Sequence, residues 1–230
     1  IISLVLVLGF TVNELEELLL NLDFLSFKKF NTESILNFLD NYGIESCDTL
    51  ERIFKIILKK KVNNENITFK QLNEMTNKKL IIVATNLNKS ETEYFNHETT
   101  PDIRVLDAIL SSINIPLFFI PKKIGNFIYT DGSVTDHFPI NLFKNEIDKT
   151  LGCIIFKNEI AKINNFFDFL NSLFYCQLKN NCKKIIKKYK NIIMLSTTVS
   201  GLDFDISKET KIKLIQDGYD QTKQYFKKND

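Results

Sequence analysis

Apolar and polar positions follow two different periods along this chain, and the change falls near residue 80. Residues 1–10 form an almost unbroken apolar run. Thr11-x-x-Glu14 then has the form of a capping box, and Leu15, Leu18, Leu19 and Leu22 follow at helical spacing. Asn31 or Thr32 can open a second helix carrying Ile35, Phe38 and Leu39, with Gly43 as its stop. Asp48-x-x-Glu51 predicts a third, with Leu50, Ile53, Phe54, Ile57 and Leu58 on one face, and Thr68-x-x-Gln71 predicts a short fourth. Residues 80–85 are instead continuously apolar, the pattern of a strand buried on both faces. Thr100-Pro101-Asp102 places a cap and then a proline at a first helical turn, opening a helix to about Ser112. Strands are predicted over 126–130, 151–156 and 192–196. A long helix is predicted over 160–189, broken near Asn180-Asn181. A last helix opens at Ser207 and carries Ile212, Leu214, Ile215, Tyr219 and Phe226. Strands separated by helices predict an α/β fold with a mainly parallel sheet covered on both faces. With no internal repeat and no linker rich in Pro or Gly, residues 1–230 read as a single domain.

Composition narrows the function more than the fold. The chain of 230 residues is long enough for one sizeable core, and its hydrophobic fraction of 44% is ordinary. Thirty basic and 28 acidic side chains nearly cancel, which argues against nucleic acid as the main partner. Cys47, Cys153, Cys176 and Cys182 lack zinc-site spacing and read as free thiols of a reducing compartment, hence cytoplasmic. No run reaches the roughly 18 apolar residues of a membrane helix. The opening run lacks the basic leader and cleavage site of a signal peptide, and reads as a buried helix cut by the start of the sequence.

The chemistry centres on Asp131-Gly132-Ser133, within Tyr129-Thr130-Asp131-Gly132-Ser133-Val134-Thr135-Asp136-His137-Phe138-Pro139. An acid at the end of a short apolar strand, followed by glycine, can present a carboxylate at a tight turn. Alone, Asp-Gly is a common turn dipeptide. Upstream lie Leu80-Ile81-Ile82-Val83-Ala84-Thr85-Asn86-Leu87 and Val105-Leu106-Asp107-Ala108-Ile109-Leu110-Ser111-Ser112-Ile113-Asn114-Ile115-Pro116. In that order and spacing the three segments resemble the patatin-like phospholipases, serine lipid hydrolases that use a Ser-Asp dyad. Gly9-Phe10-Thr11-Val12-Asn13-Glu14-Leu15 resembles the stretch that follows the nucleophile elbow in that family. The likeness runs from residue 1 to about 226. Yet no Gly-x-Ser-x-Gly occurs in the 230 residues.

The resemblance implies a three-layer α/β/α sandwich with a mainly parallel central sheet. It places the first strands, the elbow serine and the glycine-rich oxyanion loop ahead of Ile1. It makes Asp131 the base, with Gly132 and Ser133 completing its motif. The implied activity is that of a phospholipase A-like lipid acyl hydrolase with no cofactor and no metal, transacylation being a close relative. The substrate is a phospholipid or other acyl lipid, with peripheral contact at membranes, and residues 1–230 alone are expected to be inactive. The alternative is a non-catalytic relic of the patatin fold that binds a lipid surface or a protein. Ser133 stands where the family usually has Gly or Ala, and His137 where it commonly has Asn before x-Pro.

Other candidates weigh less. His137 follows Asp131 by six residues, so a Ser-His-Asp arrangement is conceivable. Asp131, Asp136 and His137 offer too few ligands for a hard metal. His97 lies in a polar loop and is expected to face water. Ser111 and Ser112 read as small residues that let a helix approach the sheet. Phe118, Phe119, Ile120 and Pro121 either line an acyl groove or fill the core. The aromatic stretch Phe166, Phe167, Phe169, Phe174 and Tyr175 precedes Lys179, Lys183, Lys184, Lys187, Lys188 and Lys190. It suits anionic lipid, and equally a helix packed on the sheet with a solvated outer side.

Overall fold

A computed structural model of the chain describes residues 1–27, 34, 36–157, 163, 164, 166–199, 201 and 203–229. Helices and strands are both present, in two compact units, Ile1–Asp136 and His137–Asp230.

The first unit opens with α1 (Ile2–Val7), whose end is set by Gly9 at φ +72°. The Gly9 N–H reaches the Leu6 carbonyl at 3.2 Å and the Phe10 N–H reaches Val5 at 3.1 Å, a Schellman closure that needs the left-handed residue between. The capping box on Thr11 and Glu14 opens α2 (Val12–Asn21) as predicted. The helix predicted from Asn31 or Thr32 falls mostly outside the described residues. Its C-terminal part is α3 (Phe38–Asn41), which stops at Tyr42 in the left-handed region rather than at Gly43. Gly43 instead begins β1 (Gly43–Glu45), where an added Cβ would lie 2.4 Å from the Phe119 carbonyl oxygen. In α4 (Asp48–Val62) the predicted capping box is absent, because Cys47 is the cap residue. Asp48 and Glu51 instead fall in the first turn, where their charge suits the helix dipole. Thr68 caps α5 (Phe69–Thr76) with Gln71, as read from sequence.

The sheet elements follow. These are β2 (Ile82–Asn86), β3 (Glu91–Phe95), β4 (Leu117–Phe119), β5 (Lys122–Ile124) and β6 (Phe127–Asp131), with α6 (Val105–Ser112) between β3 and β4 and α7 (Ser133–Asp136) after β6. The helix predicted from Thr100-Pro101 begins only at Val105, with Arg104 as its cap residue. The Thr100 hydroxyl is already committed to Asn96, accepting its N–H at 2.9 Å and donating to its carbonyl at 3.0 Å. Strands run in the order β3-β2-β6-β5, all antiparallel, while β1 pairs with β4 in parallel. Only Val83 of β2 is not fully buried, and the buried polar pair at its end, Thr85 and Asn86, is hydrogen-bonded. Leu4, Phe54, Leu58, Leu72, Ala84, Phe95, Leu106, Ile109 and Tyr129 join α1, α4, α5 and α6 to the sheet in one core.

The second unit contains a kinked 3₁₀ segment (Ile140–Lys149), β7 (Gly152–Lys157), α8 (Phe166–Lys188), β8 (Ile192–Thr197) and α9 (Lys208–Asn229). β7 and β8 are parallel, from Gly152 opposite Ile192 to Lys157 opposite Thr197. Phe138, Ile140, Ile154, Cys182 and Ile192 form its core. The predicted start of α8 near Ile160 lies outside the described residues. The predicted break at Asn180-Asn181 does not occur, and α8 runs through it. α9 is tied to β8 by Gln221, whose Oε1 accepts the Ser196 N–H at 2.7 Å.

Candidate active site

Asp131 ends β6, directly opposite Ala84 of β2. Its backbone is held from two sides. The N–H donates to the Asn114 carbonyl at 2.9 Å, and the carbonyl accepts the Thr85 hydroxyl at 2.8 Å. Asn114 and Thr85 are both buried, so these anchors are shielded from water. The side chain is held too: Oδ1 accepts the Ser133 N–H at 2.7 Å, an Asx turn. Ser133 makes that bond through its backbone, so a serine in place of Gly or Ala leaves it intact. Gly132 explains the rest of the motif. A Cβ there would lie 2.4 Å from the Val83 carbonyl oxygen and 2.7 Å from its carbon. The chain can turn straight into α7 only where nothing projects toward β2. The Asp136 N–H then closes on the Gly132 carbonyl at 2.9 Å.

Around this turn lies a polar network that the sequence did not single out. The Thr85 and Thr135 hydroxyls meet at 2.9 Å, tying β2 to α7. The Tyr94 hydroxyl donates to Asp136 Oδ2 at 2.7 Å. Tyr129, two residues before Asp131 and on the same face of β6, donates to Glu93 Oε2 at 2.8 Å. Asn86 Nδ2 donates to the same Glu93 oxygen and to the Tyr129 hydroxyl, each at 3.2 Å. The available signal was the alternation in Glu91-Thr92-Glu93-Tyr94-Phe95, a half-buried strand with acids on one face.

Burial, reinforced by the adjoining carboxylate, pushes the Tyr94 phenol up to about 12 and raises Tyr129 as well. A raised phenol means that the folded chain keeps a proton the unfolded chain loses near pH ~10. The stabilisation is therefore complete below pH ~10 and is lost as the pH climbs through the folded-state value. Thermal midpoints are expected to fall steeply between pH ~10 and pH ~12. Tyr94→Phe combined with Tyr129→Phe should flatten that fall. An equally steep fall in the double variant would assign it to other groups.

The remaining candidates separate clearly. His137 is exposed. His97 does not face water as expected: it is half-buried, its Nδ1 is buried without a hydrogen-bond partner, and its Nε2 lies 3.9 Å from Glu98 Oε1. Ser111 is fully buried and donates to the Asp107 carbonyl at 2.8 Å, so it serves the close packing of α6. Phe118 and Phe119 are buried and stack edge to face, their ring centroids 4.7 Å apart. Among the described residues no group of three or more His, Cys, Asp and Glu side chains could hold a metal ion. Cys47, Cys153, Cys176 and Cys182 form no disulfide, and burial pushes the Cys47 thiol up to about 11. No helix among the described residues is long and apolar enough to cross a membrane.

Residues 1–144, which include the whole of this turn, match the family of patatin-like phospholipases. An uncharacterized protein of Acanthamoeba polyphaga mimivirus is 29% identical over 238 residues, covering 97% of this chain and 78% of that protein. A probable lipid hydrolase of Invertebrate iridescent virus 6 is 36% identical over 100 residues, 44% of this chain and 34% of the viral protein. Among solved structures, VipD from Legionella pneumophila aligns with 98% of the chain and 51% of its own, at 17% identity and a TM-score of 0.46. The chain thus spans about a third of the iridescent virus protein and about half of VipD. The match over 144 of the 230 residues shows that the chain belongs to the patatin-like phospholipase family.

Proposed function

We propose that this chain is the acid-bearing part of a lipid acyl hydrolase of the phospholipase A type, with Asp131 as the base of a Ser-Asp dyad. The observation that supports this most is the way Asp131 is held. Both main-chain groups and one carboxylate oxygen are fixed by named partners, and the glycine after it is required by a close approach.

In this reading the serine hydroxyl gives its proton to the Asp131 carboxylate as its oxygen attacks the acyl carbonyl. The proton then passes to the departing lysolipid alcohol, leaving an acyl-serine. Water adds to the acyl-serine with Asp131 again taking a proton, and the fatty acid leaves as the serine is regenerated. A carboxylate with a pKa near ~4 is a weak base toward an alcohol, so the rate depends on a fixed near-attack geometry. The substrate is a phospholipid or other acyl lipid, and the dyad chemistry calls for no cofactor.

The 230 residues contain no Gly-x-Ser-x-Gly, so the reading requires a serine outside them. A fluorophosphonate probe tests this. Residues 1–230 are expected to take up no label, and protein translated with any codons ahead of Ile1 is expected to be labelled once, at an elbow serine. Stoichiometric labelling of Ser111, Ser112 or Ser133 in the short protein would refute the dyad as drawn. Absence of label in the longer protein would favour a non-catalytic relic of the fold that binds a lipid surface or a protein.

A further inference from the structure

The near-neutral total charge conceals an uneven distribution. Residues 1–136 carry 14 basic and 18 acidic side chains, and residues 137–230 carry 16 and 10. Six of those 16 lysines fall between residues 179 and 190, a stretch of twelve residues with no acid. Most of that stretch is the C-terminal half of α8.

One stripe of α8 is exposed from Phe169 to Lys187. Phe169, Leu173, Cys176, Asn180, Lys183 and Lys187 succeed one another by steps of four and three residues, and all are exposed. Phe169 is 46% and Leu173 53% exposed. The inner side of the C-terminal half packs Cys182, Ile185 and Ile186 into the core of the second unit. The N-terminal half contributes no described residue to that core. The exposed stripe is thus apolar at one end and basic at the other.

We propose that this stripe of α8 docks on an anionic lipid bilayer, with Phe169 and Leu173 entering the headgroup region and Lys183 and Lys187 facing the lipid charge. Charge complementarity selects this occupant, and the apolar end distinguishes it from other polyanions. A nucleic acid would use the lysines, and a single strand would stack a base on Phe169, but neither gives a place to Leu173. A bilayer uses both, because apolar side chains insert below the headgroups while lysines remain at their level. The attraction of each lysine to an acidic surface is worth about a fivefold gain in partitioning and is screened by salt. The inference does not depend on Asp131 as base, since it concerns a different unit and a different property.

The experiment is co-sedimentation of the full chain with phosphatidylcholine vesicles, with and without phosphatidylserine. Binding is expected to require phosphatidylserine and to weaken with added salt. Lys183→Gln with Lys187→Gln should lower partitioning by about 25-fold. Phe169→Ser with Leu173→Ser should lower it by at least about tenfold while leaving the salt dependence in place. Asp131→Asn should bind like the unmodified protein, which separates docking from catalysis. All four α8 positions are exposed, so circular dichroism should show unchanged folding. Equal uptake by both vesicle types, or unchanged uptake in both double variants, would overturn the proposal. So would retention of a nucleic-acid oligomer without vesicle uptake. The lipid and salt dependence of the unmodified protein tests the proposal even if a variant fails to fold.

Discussion

Asp131→Asn is expected to lower acyl-ester hydrolysis by about 10²–10⁴ in any preparation that carries the nucleophile. The substitution is nearly isosteric and removes one property. An amide cannot take the serine proton, whereas its oxygen can still accept the Ser133 N–H that the carboxylate holds at 2.7 Å. The two main-chain anchors, to Asn114 and Thr85, are untouched by any change of side chain. Folding should therefore survive, with a thermal midpoint close to that of the unmodified protein. His137→Ala is the companion measurement, because a histidine could in principle carry the same proton. The dyad reading expects a loss well below tenfold there. Initial rates on phospholipid vesicles, measured beside thermal unfolding, separate the cases. Retention of more than half the activity in Asp131→Asn would remove it from the mechanism. A collapse to background in His137→Ala, with Asp131→Asn active, would hand the proton to the histidine.

Which parts of this arrangement could be read from sequence follows from how local their causes are. The capping boxes at Thr11 and Thr68 were legible because the cap and its reciprocal partner lie three residues apart. Asp48 and Glu51 present the same spelling without the geometry, since which residue leaves the helical region first depends on the preceding chain. The start of β2 was legible because burial on both faces keeps Ile82, Val83 and Ala84 apolar, and Asp131-Gly132 because a turn dipeptide followed a strand. The strands β1, β4 and β5 were not, being three residues each, too short for any period to show. Thr100-Pro101 misled because its hydroxyl closes a loop onto Asn96, a contact with the same composition as a helix cap. The anchors of Asp131 were out of reach for a different reason. Asn114 and Thr85 lie 17 and 46 residues away, and only the pairing of β2 with β6 and the turn after α6 bring them to it.

The close approach at Gly132 carries a prediction about stability as well as about the site. Gly132→Ala places a Cβ where the Val83 carbonyl already stands, 2.4 Å from its oxygen. The obstacle is backbone rather than the tip of a flexible side chain, and Val83 is fixed by pairing of β2 with β3 opposite Tyr94. Relief requires the turn to lift away from β2, which strains the Asx turn and the contact between Thr85 and Thr135. Overpacking of this kind costs about 3 kcal/mol, or roughly a 150-fold shift in the folding equilibrium. For a chain of this length the midpoint should fall by roughly 6–12 °C. Gly218→Ala supplies the contrast. It lies within α9, an added Cβ there meets nothing within 4 Å, and it should be neutral or stabilising by up to about 1 kcal/mol. Catalysis should respond at Gly132 beyond the loss of folded protein, because lifting the turn displaces the Asp131 carboxylate from the position its anchors define. Rates corrected for the folded fraction should therefore drop in Gly132→Ala and stay level in Gly218→Ala. Equal stability and equal corrected rates in the two variants would show that the turn yields without strain and that the glycine serves neither fold nor site.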